Sequence, residues 1–315
     1  MSTIEKALAK NKKTGLQDRN TDTYEVSKKN SNQVTYSTTS PEALAESTID
    51  SPSSSSSEEP AKVLDNSLEG NEEIALNLEQ LSEKGMVDNS AERRLINEEY
   101  RAIKRKILSN AFGPLSKTLE RSNVVMVTSS KPGEGKTFTA VNLALSIASE
   151  QDKTVLLVDA DVLRPNVMKT LGLSNREGLI EYLLGERKSI SDIMLSTNIP
   201  KLKLIAAGKS HHLSNELLAS DVMRSTVDEF STRYKDRIVI IDTPPLLGIN
   251  ETYVLANLAG QAIVVCEEGR SKIHDIKNSV AHLNPEMAIG FVVNKSLRRE
   301  NGPGYYGYYY GSDGK

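Results

Sequence analysis

The stretch Val124-Val125-Met126-Val127-Thr128-Ser129-Ser130-Lys131-Pro132-Gly133-Glu134-Gly135-Lys136-Thr137-Phe138 decides the fold. Its opening β-branched and aliphatic run reads as a strand buried on both faces. A glycine-rich turn follows, then an amphipathic segment from Thr139 to Ser149 with helical spacing. Glycines let the backbone fold tightly enough for successive N–H groups to surround phosphate oxygens, and the helix N-terminus adds its positive end. In that context Lys136 reaches the β- and γ-phosphates of a nucleoside triphosphate, and the Thr137 hydroxyl can ligate Mg²⁺. The strict pattern has glycine where Ser130 stands, so the match is imperfect.

Outward from this loop the pattern repeats. Val155–Val158, Leu202–Ile205, Ile238–Ile241, Ala262–Val265 and Gly290–Val293 are further strand-like runs, with helix-length segments such as Asn215 to Glu229 between them. The reading is a doubly wound α/β domain over residues 91–300 with a mostly parallel sheet, its site at the carboxyl ends of the strands. The second run ends in Asp159-Ala160-Asp161 and the fourth in Asp242-Thr243-Pro244-Pro245. Carboxylates at the ends of apolar strands are costly to bury unless they meet a cation. A phosphate-bound Mg²⁺ supplies one, and it takes only one or two carboxylates. Asp is also a preferred helix N-cap, which is an alternative role for one of the three.

The chain has 315 residues, 38% of them hydrophobic and 26% charged, with a formal net charge of −3. That balance gives no footprint for nucleic acid. The single cysteine, Cys266, fits a reducing compartment and argues against an intrachain disulfide framework or a cysteine-ligated cluster. His211, His212, His274 and His282 lack Cys, Asp or Glu partners at metal-binding spacing. No stretch approaches the ~20 apolar residues that span a bilayer, so a cytoplasmic location is expected. Residues 1–10 suit a short helix with Ile4, Ala7 and Leu8 on one stripe. Residues 11–90, with the serine run at 51–57, read as a disordered linker. From residue 301 the chain becomes a flexible tail, and five of the eleven tyrosines fall at Tyr305, Tyr306, Tyr308, Tyr309 and Tyr310.

These features resemble the bacterial tyrosine kinases, P-loop proteins related to the MinD and ParA ATPases, and among them the cytoplasmic autokinases encoded with exopolysaccharide machinery. The likeness runs from about Ile96 to Tyr310. It rests on KPGEGKT, VLLVDADVLRPN, IVIIDTPPLL and the tyrosine-rich terminus, with weaker support from SNELLAS at 214–220 and FVVNK at 291–295. The resemblance implies ATP binding by Ser130, Lys131, Pro132, Gly133, Glu134, Gly135, Lys136, Thr137 and Phe138. It also implies an adenine contact from Asn294, for which closing the last strand is the alternative role. Lys131 stands where MinD and ParA dimers carry a lysine that reaches the partner's nucleotide, although an exposed loop lysine is an equal reading. Two departures matter: Leu163 occupies a position that is commonly basic, and in INEEYRAIKRKIL, which resembles the oligomerisation helix, Lys104 replaces the last arginine beside Glu98 and Arg101. That helix also reads simply as a solvated charged face.

A triphosphate site and clustered phenols on one chain lead to an expected reaction. The γ-phosphoryl of Mg·ATP passes to the five tail tyrosines, mainly between subunits. Lys136 neutralises developing charge, Asp159 receives or orients the tyrosine proton, and Thr137, Asp161 and Asp242 hold Mg²⁺. By resemblance the partners are a membrane-bound polysaccharide chain-length or activator protein, a tyrosine phosphatase and further copies of the chain, with recruitment to the inner face of the membrane. The rival readings are a partner-switched MinD/ParA-like ATPase and a nucleotide-gated scaffold of a polysaccharide assembly.

Overall fold

Alternate residues of each central strand feed opposite sides of one sheet, which is why the strands read as unbroken apolar runs. In a computed structural model, which describes residues 73–88 and 94–296, all within the unit Asp65–Lys315, Val124 and Met126 enter one core while Val125 and Val127 enter the other. The strands are β1 (Val124–Ser129), β2 (Thr154–Asp159), β3 (Met194–Ser196), β4 (Leu202–Ile205), β5 (Arg237–Asp242), β6 (Gln261–Glu267) and β7 (Ala288–Asn294). They form one sheet in the order β3-β4-β2-β5-β1-β6-β7. Every pairing is parallel except β3 with β4. This is the mostly parallel α/β architecture expected.

One core packs the helix Asp221–Thr232 through Met223, Val227 and Phe230. The other packs the helices Leu95–Phe112 and Lys136–Ala148. The helix Lys136–Ala148 is buried on nearly every side, as its apolar sequence requires. The register sets Asp159 opposite Asp242 and Val127 opposite Asp242. The loops after β1, β2 and β5 therefore open side by side, and that alignment builds the site.

Three details depart from the sequence reading. Residues 73–88 fall within the stretch read as linker, yet they pack on the domain: Ile74 pairs with Thr197, and Leu76, Leu81, Met86 and Val87 are buried. Their apolar residues follow neither helix nor strand period along the whole segment, so only tertiary contacts reveal them. Short β3 is half-buried, and its apolar run, Ile193-Met194-Leu195, is too short to announce a strand. The segment Asn215 to Glu229 is two helices, Ser214–Leu218 and Asp221–Thr232, divided where the Ser220 hydroxyl caps the second by accepting from the Met223 N–H. The expected helix at 1–10, most of the linker and all five tail tyrosines lie outside the described residues. Among the described residues no helix is long and apolar enough to cross a membrane.

Candidate functional site

The loop after β1 turns on two glycines with left-handed backbone, Gly133 at φ 87° and Gly135 at φ 98°. The helix begins at Lys136, three residues earlier than its apolar pattern alone suggests. Its first turn carries the two side chains expected to act. The Lys136 ammonium lies 2.5 Å from Asp161 Oδ2 and 3.9 Å from Asp242 Oδ1. The Thr137 hydroxyl donates to Asp242 Oδ2 at 2.6 Å. Residues from the ends of three adjacent strands thus meet at one point.

The carboxylates are not equivalent. Asp242 is fully buried, and its Oδ1 has no hydrogen-bond partner. Burial pushes its carboxyl up to about 6, against the lowering effect of Lys136 and Thr137. Asp159 is also fully buried, and its oxygens accept the backbone N–H groups of Asp161, Asn166 and Val167. Burial, and then the Asp242 charge, push it up to about 7. By holding the turn before the helix Val167–Thr170, Asp159 fills in part the capping role foreseen for one of the three aspartates. Asp161 instead lines a cavity of about 700 Å³ with Gly133, Gly135, Lys136, Thr137 and Phe138. Burial alone would lower the Lys136 ammonium, but Asp242 and Asp161 together raise it. It is therefore a cation throughout the neutral range.

The orphaned Asp242 Oδ1 tests whether these residues fit a divalent cation. A buried carboxylate oxygen without a donor is costly unless a cation or water completes it, and the Thr137 hydroxyl stands on the other oxygen of the same carboxylate. The donor set is all oxygen, as Mg²⁺ requires. Among the described residues no group of three or more His, Cys, Asp or Glu is arranged to hold a metal unaided.

A second layer supports the loop, and the sequence reading missed it. Ser271, Asp275 and Ser279, spaced by four before and along the helix Ile273–Val280, each meet one loop residue. Ser271 donates to Glu134, Asp275 pairs with the Lys131 ammonium at 2.5 Å, and the Ser279 hydroxyl lies 2.8 Å from that of Ser130. The spacing was present in the sequence, but only the sheet order turns that face toward the loop. Ser130, at the position where the strict pattern has glycine, is buried and occupied by this contact. From the end of β7, Asn294 donates to the Glu134 carbonyl at 3.0 Å and Lys295 to the Gly133 carbonyl at 2.7 Å.

The residues expected at an oligomer interface separate. Glu98 and Arg101 pair at 2.6 Å on an exposed face. Lys104 does not share it: its ammonium is buried against the Ser146 carbonyl at 2.9 Å and Glu150 at 2.7 Å, at the C-terminal end of the phosphate-loop helix. The lysine stem reaches that acceptor-rich helix end, where a cation is favoured.

The family described as AAA domain matches residues 122–285. Tyrosine-protein kinase YwqD of Bacillus subtilis is 30% identical over 228 residues, spanning 71% of this chain and 92% of that one. Tyrosine-protein kinase wzc of Salmonella typhimurium is 32% identical over 200 residues, 62% of this chain and 27% of its own. The chain thus spans about a quarter of the length of several curated relatives and nearly all of YwqD. Among solved structures, the chimerical protein CapA2B2 superposes with TM-score 0.58 and 26% identity, covering 65% of this chain and 87% of that one. The kinase domain of Escherichia coli tyrosine kinase ETK shares the fold at TM-score 0.55 and 24% identity, covering 70% and 96%.

Proposed function

The chain belongs to the bacterial tyrosine-protein kinases, and from that membership we propose that it transfers the γ-phosphoryl group of ATP to Tyr305, Tyr306, Tyr308, Tyr309 and Tyr310 of its own tail, mainly between neighbouring subunits. The observation that carries this reading is the convergence of Lys136, Thr137, Asp161 and Asp242 at the mouth of a phosphate-type loop. In the reaction the bond from the β–γ bridging oxygen to the γ-phosphorus breaks and a bond from the phenolic oxygen forms. ADP leaves with the bridge electrons, and the phenol proton passes to a carboxylate.

Lys136 is the cation that meets charge growing on the β–γ bridge, and the loop N–H groups meet charge on the phosphoryl oxygens. Thr137 would hold Mg²⁺ directly, with Asp161 and Asp242 acting through water. The ion supplies charge neutralisation of the phosphates. Asp159 is the proposed proton acceptor or orienting group; buried behind the cavity wall, it would act on the phenol through the turn that carries Asp161. A carboxyl raised to about 7 suits proton transfer at neutral pH. Its three backbone donors also make it the anchor of the turn that presents Asp161. A phenol with pKa near 10 gives up its proton late, so positioning outweighs base strength.

The wider role proposed is control of exopolysaccharide synthesis or export at the inner face of the membrane. It would be exercised with a membrane-bound activator, a resetting phosphatase and a homo-oligomer that uses the Glu98–Arg101 face. One relative named for such work is the succinoglycan biosynthesis transport protein ExoP of Rhizobium meliloti, 31% identical over 186 residues, 58% of this chain and 23% of its own. The test is intact mass and tandem mass spectrometry of the C-terminal peptide from wild type and Lys136→Met, with Mg·ATP and the candidate activator. Phosphates on the five tyrosines in wild type alone are the expected result. Phosphate release with a bare tail would assign a partner-switched ATPase instead, and nucleotide binding without turnover a scaffold.

A further inference from the structure

The cavity at the phosphate loop extends beyond the loop itself to the turns after β2 and β5. Beyond Lys136 and Asp161 it is bordered by the apolar Leu163, Pro165, Pro245 and Ile249, with Arg164, Asn166, Lys169 and Thr170 as further polar lining. Asn294, the residue expected beside the adenine, meets the loop from the end of β7 and does not line this cavity. The apolar wall comes instead from the turns after β2 and β5, on the side of the loop where Asp161 stands. Leu163 is 48% exposed there, in a position that is commonly basic in the sequences this chain resembles. A cavity that pairs an apolar wall with convergent polar groups is the form of a site for a partly apolar ligand.

We propose that Leu163, Pro165, Pro245 and Ile249 form the acceptor subsite, which takes the aromatic ring of the incoming tyrosine with its hydroxyl directed toward Lys136 and Asp161. This rests on the kinase reading above and adds the feature that chooses the acceptor. A phenol spans the distance from an apolar wall to a polar end. A serine or threonine hydroxyl brings no ring to bury and loses that contribution. Leu163 is then a specificity-determining residue, and its exposure reflects a surface kept free for a ligand. One misplaced apolar contact in such a pocket is worth ~10–200-fold in discrimination.

The test uses the full-length chain with all five tail tyrosines replaced by serine, so that its own tail does not compete. The acceptor is a synthetic GPGYYGYYYGSDGK peptide, and its all-phenylalanine and all-serine counterparts are competitors. Leu163→Asp is expected to lower kcat/KM for the tyrosine peptide by ~10-fold or more, chiefly through KM, while affinity for a fluorescent ATP analogue stays within about twofold. The phenylalanine peptide should compete with the acceptor and the serine peptide should not. An unchanged peptide KM, or an equal loss of nucleotide affinity, overturns the proposal. If no phosphotyrosine forms even in wild type, the kinase reading fails separately. Anisotropy of a labelled phenylalanine peptide on the ADP-loaded protein then still decides the subsite: binding lost in Leu163→Asp supports it, and binding absent or indifferent to Leu163 ends it.

Discussion

Thr137 donates its hydroxyl proton to Asp242 Oδ2 at 2.6 Å, while the other oxygen of that carboxylate is buried without a donor. One half of Asp242 orients the threonine; the other lies 3.9 Å from the Lys136 ammonium and, on the proposed reading, also faces a hydrated cation. Asp242→Asn keeps the acceptor for Thr137 and removes the charge. It is expected to raise the Mg²⁺ concentration for half-maximal transfer by ~10–100-fold, the usual cost of losing an outer-shell partner. A Mg²⁺ titration of phosphotyrosine formation checks this, and an unshifted midpoint would remove Asp242 from the cation's surroundings.

The same carboxylates make the nucleotide-free protein sensitive to pH. Asp159 is pushed up to about 7 and Asp242 to about 6, whereas unfolded aspartate titrates near 3.9. The native state therefore binds these protons more tightly, and between about pH 4 and 7 stability falls as pH rises. Wild type should melt several degrees higher at pH 5 than at pH 8 relative to Asp242→Asn, whose profile should be flatter. Thermal melts of both proteins across that range, without nucleotide, give the answer. Parallel profiles would contradict the assignment.

Gly135 is needed twice over. Its φ of 98° strains any other residue, and a Cβ there would come within 1.9 Å of Asn294 Nδ2. Gly135→Ala is expected to cost ~1–3 kcal/mol of stability and to weaken nucleotide binding, because the loop amides turn out of place. Adding Asn294→Ala removes the clash but not the strain. The double variant should recover part of the melting temperature and little of the affinity, as read by calorimetry and titration with an ATP analogue. Full recovery of both would mean that the clash alone matters.

The sheet was legible because strands buried on both faces must be apolar at every position, and Val124–Val127 or Ile238–Ile241 satisfy that without reference to anything distant. The phosphate loop was legible for a similar reason: glycine conformation and the Lys136–Thr137 pair are local requirements. What escaped was set by tertiary contact. Lys104 has the spacing of an exposed charged face, and only its approach to the end of the helix Lys136–Ala148 reveals that it turns inward. Ser271, just before the helix Ile273–Val280, and Ser279 within it look like ordinary polar residues until β6 places them against the loop. Asp159 and Asp161 sit two residues apart in one motif and are both buried, yet only the second lines the cavity.

Lys104 and Arg101 lie one helical turn apart and should fail in different ways. Lys104→Ala strands the Ser146 carbonyl and unpairs Glu150, which is about one-third exposed. The loss is expected to be ~1–3 kcal/mol, toward the lower end because solvent reaches Glu150, and to appear as a lower melting temperature. Arg101→Ala removes only an exposed ion pair, worth at most ~1 kcal/mol, and should leave the melting temperature nearly unchanged. If the Glu98–Arg101 face joins subunits, Arg101→Ala should instead shift the sedimentation profile with nucleotide toward smaller species, while Lys104→Ala assembles as wild type does at temperatures where it is folded. Sedimentation velocity and thermal melts on the two variants separate these outcomes. Disassembly by Lys104→Ala of fully folded protein would show that the buried ammonium also serves the interface.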